Sequence, residues 1–329
     1  IFIVRADAPE RRRGKTEAKK TETLEIEIDD GHAGERLDKA LCDLLPDTSR
    51  SAIQRMIRDS LVTVNKSARK ANFRLCEGDL VEVVFPPAQE VEILPENIPL
   101  DILYEDSDLL IVNKPKGMVV HPAPGHASGT LVNAVMYHCR DSLSGINGEL
   151  RPGIVHRIDM NTTGSLIVCK NDRAHTDIAR QIKEHSIRRI YEGIVIGNVK
   201  EDEGTVTGAI GRNPKDRKKM AMHVPGGKEA ITHYRVLERF SGYTYMEFRL
   251  ETGRTHQIRV HMAGIAHPLL GDDVYGPAKC RFRLQGQTLH AKTIGFIHPT
   301  TGEYMEIDAP LPEYFEELLK TLRHLSGRL

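Results

Sequence analysis

No two of the five cysteines (Cys42, Cys76, Cys139, Cys169, Cys280) form a CxxC pair. Odd in number and scattered, they read as reduced thiols of a cytoplasmic protein rather than a disulfide framework. No apolar run approaches the ~20 residues of a membrane span. Net charge is absent too, with 46 Lys and Arg against 46 Asp and Glu. That balance argues against a strongly basic nucleic-acid binder but leaves local basic patches open. No GxGxxG or GxxxxGK(S/T) follows a strand, so a nucleotide-phosphate cradle is not expected. GxSxG and HExxH are missing as well, which removes the signatures of a serine hydrolase and a zincin.

What is present suits an ordinary globular chain of 329 residues, one large domain or a large domain with a small one. The opening "IFIVRADAPERRRGKTEAKK" has neither the apolar core nor the cleavage site of a signal peptide. Its initial Ile suggests an incomplete start, and residues 1–21 are expected to form a mobile charged tail. "TLEIEI" alternates Leu24, Ile26 and Ile28 with polar residues, which predicts a half-buried strand. Leu37, Ala40, Leu41 and Leu44 follow helical spacing up to Pro46. Ser49 or Ser51 is placed to cap a second helix with Ile53, Met56 and Ile57 inward and Arg50, Arg55 and Arg58 outward. Strands are expected at Leu61–Val64 and Leu80–Phe85, with Lys66, Arg69, Lys70 and Arg74 between them. These bound a first domain over 22–86. Prolines and Glu90, Glu92 and Glu96 mark an extended linker over 87–99.

The remaining domain, 100–329, mixes strands (Ile102–Tyr104, Leu109–Asn113, Leu166–Lys170, Ile190–Ile196, Tyr234–Glu238, Tyr245–Leu250) with helical periodicity at Thr130–His138, Arg173–His185 and Pro312–Leu325. Many strands and few helices predict an α+β fold with a mixed, mainly antiparallel sheet. Fifteen histidines make metal binding worth weighing. Yet His121 and His126 in "HPAPGH", and His256 and His261 in "THQIRVH", match no metal spacing, so no metal or other cofactor is expected. In "GIVHRIDMNTTGSLIVCKND", Asp159 precedes a turn into an apolar strand. Taken alone it reads more readily as a turn or capping residue than as a catalyst, and Arg157 as its partner or a surface cation. Thr255 is placed to cap a helix with Ile258, Met262 and Ile265 inward and Arg259 pointing elsewhere.

Two resemblances sharpen this picture. The helices, basic second helix and "VTVNK" hairpin resemble the S4 RNA-binding fold over roughly 34–85. There the implied RNA contacts are Arg50, Arg55, Arg58 and Lys66, giving salt-dependent affinity without sequence reading. Farther along, five segments occur in the order of the RluA/RluD-type pseudouridine synthases. They are "LLIVNKPKGMVVHPAPG", "RPGIVHRIDMNTTG", "RRIYEGIVIG", "LETGRTHQIRVHMAGIAHPLLGDDVYG" and "LHAKTIGFIHPTTGEYMEIDAPLP". The departures are small: Ile158 for Leu, Thr163 for Ser, and Ser165 where an aliphatic residue is common, which would loosen local packing. "IGRNPKDRKKMAMH" is a variable stretch that would bear on which RNA is chosen.

The resemblance implies an isomerase that detaches uracil from C1′, turns it and rejoins it through C5. Asp159 would attack carbon or remove a sugar proton, and Arg259 would hold it ionised. Tyr191, preceded by the basic Arg189, would lie against the flipped base with Ile258 on its other side. Arg157, with His156 beside it, would fill the vacated space or hold a phosphate. The expected partner is large-subunit ribosomal RNA, acted on by a monomer with no protein partner. A tRNA substrate and a catalytically degenerate assembly factor are the competing readings.

Overall fold

In a computed structural model the chain is described for residues 3–4, 22–45, 48, 50–85, 93–123, 125–140, 142–146, 152–216 and 219–327. It forms two compact units, Ile1–Val91 and Glu92–Leu329. The first contains β1 (Ile3–Val4), β2 (Glu22–Glu27), α1 (Leu37–Leu44), α2 (Arg50–Arg58), β3 (Val62–Val64), β4 (Ser67–Ala68) and β5 (Leu80–Phe85). Its sheet runs β1-β2-β5-β3-β4 with every pair antiparallel. The apolar stripes of both helices (Leu37, Ala40, Leu41; Ile53, Met56, Ile57) pack on Val62, Val64, Val81 and Val83. Each such buried aliphatic side chain contributes about 1.5–3 kcal/mol relative to exposure. The β3–β4 hairpin turns on Asn65 and Lys66, both in the left-handed region at φ 51 and 63. Asn65 suits that position because its amide also bonds Asp79 at 2.8 Å and accepts from Leu80 N at 3.0 Å.

Of the tail expected over 1–21, only Ile3–Val4 are described, and they pair with β2. Pro46 and Ser49 lie outside the described residues, as do Pro86 and 87–92 of the expected linker. The rest of that linker packs on the second unit. Ile93 is buried in its main core. The Asn133 amide donates to Leu94 O at 2.8 Å, and Glu96 N donates to Asn133 O at 2.9 Å. The prolines keep this stretch extended, while Asn133 supplies partners for its backbone.

The second unit holds β6 (Ile102–Glu105), β7 (Leu109–Lys114), α3 (Leu131–Cys139), β8 (Thr163–Cys169), α4 (Asp172–Lys183), β9 (Arg188–Ile196), β10 (Glu203–Thr207), β11 (Ile210–Arg212), β12 (Met220–Met222), β13 (Ile231–Phe240), β14 (Tyr243–Leu250), α5 (Gln257–Gly264), β15 (Leu289–Ile297), β16 (Tyr304–Asp308) and α6 (Glu313–Leu325). Nine strands form one sheet in the order β10-β13-β14-β9-β15-β8-β7-β6, with β16 added on β15. Only β8 and β15 pair in parallel, so the sheet is mixed and mainly antiparallel. Both faces are covered. Leu110, Val112, Leu166 and Val168 pack with Leu131 and Val135 of α3, and Leu109, Ile111, Ile167 and Cys169 pack with Ala174 and Ile178 of α4. This explains why β8 is buried at every residue, with no polar alternation to mark it.

Periodicity missed β10, β11, β12, β15 and β16. In β15, His290 and Lys292 interrupt the apolar pattern. His290 is nonetheless fully buried, with Thr163 Oγ1 at 2.8 Å and Ala309 O at 3.2 Å as partners from distant elements. Ser165 is buried and donates to Ala291 O at 3.1 Å, so its hydroxyl ties β8 to β15 rather than loosening the packing. α5 also begins later than the Thr255 expectation. His256 stands at its N-cap in the left-handed region, and the Gln257 side chain accepts from Arg254 N at 2.9 Å. Ile265 falls past the end of α5 and is exposed.

Candidate active site

The loop carrying Asp159 is pinned at both ends by glycines that no larger residue replaces. Gly153 (φ 72) would put a Cβ 2.7 Å from Cys169 O, and Gly164 (φ 107) would put one 2.2 Å from Ala291 O. Between them Thr162 N bonds Asp159 O at 3.0 Å and closes a turn. The next carbonyl, Met160 O, accepts from Gly117 N at 3.0 Å and from the Lys114 ammonium at 2.9 Å. Lys114 is fully buried at the end of β7 and also donates to Pro115 O at 2.7 Å and Met118 O at 2.8 Å. Burial pulls its pKa down to about 7, against the opposing pull of the Asp159 charge. Three carbonyls match the three protons of an ammonium, so the loop is clamped by a charge-assisted fork.

Asp159 meets α5. Arg259 Nη1 donates to its Oδ2 at 3.1 Å, while Nε and Nη2 of the same guanidinium hold Asp272 at 2.7 and 3.0 Å. Arg259, expected to lie off the apolar face of the helix and to pair with Asp159, is 5% exposed. Burial opposes its charge, but the Asp272 bonds and both carboxylate charges outweigh that and raise its pKa. Burial likewise pushes Asp272 up, and its bonds from Arg259 and from Tyr275 and Val274 N–H bring it below the ordinary value. The Asp272 carboxylate therefore fixes the cation, and the cation presents one remaining N–H to Asp159. His256 completes this side, with Nε2 3.8 Å from Asp159 Oδ1 and Nδ1 2.8 Å from the Tyr275 hydroxyl. Burial lowers its pKa.

A cavity of ≈ 410 Å³ opens beside this pair and brings together six of the residues singled out from sequence: His156, Arg157, Asp159, Tyr191, Ile258 and Arg259. Tyr191 comes from β9, and burial raises its pKa. Arg157 is exposed, with Nη1 3.4 Å from His121 Nε2. His156 has a structural bond: its Nε2 accepts from Ile167 N of β8 at 3.0 Å. Burial holds it down to about 3, so it lines the cavity as a neutral ring.

These buried rings give the protein an acid limit. His156 at about 3 and His290, held by burial to about 4, both lie below the ordinary 6.5. Between 6.5 and about 4 the unfolded chain binds protons that the folded chain refuses, so stability present above 6.5 is lost as pH falls. We expect the urea midpoint to drop across that window, before carboxylates titrate. His156→Asn should flatten part of the slope. A midpoint independent of pH there would contradict this.

The cations expected at RNA are spread over the first unit. Arg50 Nη2 lies 3.4 Å from the buried Asp38, which Arg36 and Gln54 also hold, so part of its charge serves the fold. Arg55, Arg58 and Lys66 are exposed. Arg58 lines a groove of ≈ 530 Å³ that adds Arg69 and Lys70. Among the described residues one group has ligand atoms close enough for a metal: His32, Glu35 and Asp43, where Glu35 already pairs with Lys39. His121, His126, His256 and His261 form no such group.

A sequence profile of the RNA pseudouridylate synthase family matches residues 108–264, and an S4 domain profile matches 35–81. The Bacillus subtilis RNA pseudouridine synthase YlyB is 51% identical over 300 residues, covering 91% of this chain and 98% of that protein. The chain belongs to the RNA pseudouridine synthase family. It is an isomerase acting on RNA, with an S4 domain in front of its synthase domain. The Pasteurella multocida ribosomal large subunit pseudouridine synthase D is 45% identical over 92% of this chain and 95% of its own length. Among solved structures, human RNA pseudouridylate synthase domain containing 1 superposes with a TM-score of 0.53 at 26% identity, covering 73% of this chain and 98% of that one.

Sequence reading of this synthase overlooked Lys114, His256 and Asp272. Lys114 and Asp272 sit inside quoted motifs, yet nothing local distinguishes Asp272 from Asp273 beside it. Its role comes from facing Arg259 across thirteen residues.

Proposed function

We propose that the protein isomerises uridine to pseudouridine in large-subunit ribosomal RNA, acting as a monomer in the cytoplasm. Asp159 does the chemistry, Arg259 holds it, and Tyr191 and Ile258 flank the flipped base. The observation that carries the roles is the Asp159–Arg259–Asp272 chain at the wall of the ≈ 410 Å³ cavity. The large-subunit target is supported by the Pasteurella relative, whose name gives that substrate.

In the reaction the target nucleotide leaves its stack, at about a few kcal/mol, and enters the cavity. Asp159 meets the ribose either as nucleophile at C1′ or as base toward C2′–H, and for both it must be ionised and aimed. Arg259 supplies both conditions with one N–H and one charge. Tyr191 offers an aromatic face and a phenol whose raised pKa keeps it protonated. Arg157 at the exposed rim takes a backbone phosphate or the gap in the stack. Arg55, Arg58 and Lys66 of the S4 unit, with His156 as a neutral wall of the cavity, complete the RNA contacts. Their phosphate bonds give affinity that falls with salt.

Large-subunit RNA transcribed with tritium at uridine C5 tests the reading. Wild-type protein should release tritium from it and not from tRNA, without added metal or nucleotide. Release from tRNA alone would move the substrate assignment. Salt-sensitive binding to every RNA with release from none would favour an assembly factor.

A further inference from the structure

Arg189 is a charged group of the cavity to which the roles proposed for Asp159, Arg259 and Arg157 give no part. Arg189 lies two residues before Tyr191 on β9, and strand alternation puts both on one face. It lines the same cavity and is 8% exposed. Its Nη2 donates to Glu251 O at 3.0 Å, while its buried Nε has no hydrogen-bond partner. Among the described residues no carboxylate lies within ion-pair distance of it, whereas Arg259 across the cavity has two. The guanidinium reaches Gly253, another lining residue, where a Cβ would fall 2.6 Å from Nη1. A buried, uncompensated guanidinium with a free donor is costly unless something anionic arrives to meet it.

The lining shows what that is. Its one carboxylate, Asp159, is already paired; of the other cations Arg157 and Lys183 are exposed, and the half-buried Arg254 has its Nε bonded to Glu229 O at 2.8 Å. Arg189 shares the lining with Tyr191, Leu250 and Leu289, an aromatic ring and two aliphatic side chains able to pack against a base. We propose that Arg189 is a further catalytic residue, whose guanidinium hydrogen-bonds a uracil carbonyl oxygen and stabilises the base as an anion while it is detached. This rests on the reading of the Asp159 cavity as the place of isomerisation.

The chemistry balances without a co-reactant. Heterolysis of C1′–N1 leaves the electron pair on the base, spread over N1, O2 and O4. The sugar's deficiency is met by a bond from Asp159 to C1′, or by loss of the C2′ proton to Asp159. After the base turns, C5 bonds to C1′ as Asp159 departs or returns its proton. The C5 proton then leaves, and N1 gains one. Between the two bonds the base is an anion in a water-poor site, where a preorganised guanidinium is most effective.

Single-turnover rates of joining C5 to C1′, read by mass on nuclease-digested RNA, and RNA affinity of Arg189→Gln, Arg189→Lys and Gly253→Ala test this on transcripts carrying uridine or 5-fluorouridine. The fluorinated ring has no C5 proton to lose and instead takes up water at C6 once C5 is joined. Fluorine stabilises the detached anion and lessens the need for the cation. Arg189→Gln should be slowed about 100-fold on uridine RNA but about tenfold on 5-fluorouridine RNA, with affinity within about threefold of wild type. Arg189→Lys should recover part of the rate. Gly253→Ala displaces the guanidinium with no backbone strain, so it should show the same pattern more weakly even if Arg189→Gln folds poorly. Equal slowing on both RNAs would make Arg189 merely structural, and a loss of affinity with an unchanged maximal rate would make it a phosphate contact. Either overturns the proposal. Wild-type inactivity on every RNA would overturn the reading of the cavity and this proposal together, whereas a normal Arg189→Gln enzyme overturns this one alone.

Discussion

Asp159→Asn is expected to lower tritium release by about 10⁴-fold while large-subunit RNA affinity stays within about threefold. The amide keeps the size of the carboxylate, and its oxygen still accepts the Arg259 N–H that now reaches Asp159 at 3.1 Å. The Thr162–Asp159 turn and the Lys114 clamp act through backbone atoms and are untouched. Charge and basicity are what disappear, and both routes to the sugar need them. On the proposed function affinity rests on phosphate contacts elsewhere, so filter binding at two salt concentrations should read the same for both proteins. Release within tenfold of wild type would remove Asp159 from the chemistry.

Arg259→Met should cost about 3–5 kcal/mol of stability and abolish release, because one cation serves two carboxylates. The Asp272 side chain has 0% exposure, and without Arg259 it keeps only the N–H bonds from Val274 and Tyr275, at 2.9 and 3.0 Å. Adding Asp272→Asn removes the stranded charge while leaving an oxygen for those two donors. The double variant should therefore regain part of the lost urea midpoint and none of the activity, since Asp159 is still unheld. The pH response should also invert. In the wild type the depressed Asp272 pKa contributes stability above the ordinary 3.8, lost as pH falls through the lower folded value. With Arg259 gone, burial is left to raise that carboxyl, so the single variant should weaken as pH rises past 3.8. A single variant as stable as wild type would show that Asp272 does not depend on Arg259.

Some of this architecture is set by residue order alone. The first unit's helices and hairpin could be read from short-range spacing because each apolar stripe faces one shared core. Gly153 and Gly164 were written into motifs for a steric reason, and Asp159, Tyr191 and Arg259 could be named because their segments are ordered as in a known family. Spacing alone put Arg259 off the apolar face of its helix and named no partner for it. The structure buries it because Asp272 and Asp159 approach from opposite sides, and such convergence has no local signature. The same holds for β15, whose His290 and Lys292 look misplaced in a central strand until Thr163, Ala309 and Asp308 supply their partners. Local spacing determined the helices and the regularly patterned strands, since those follow from neighbouring side chains and backbone sterics, but not β10, β11, β12, β15 or β16. Tertiary structure decided which charges are paired and which, like Arg189, are left facing the cavity, because desolvation and charge pairing depend on groups far apart in the chain.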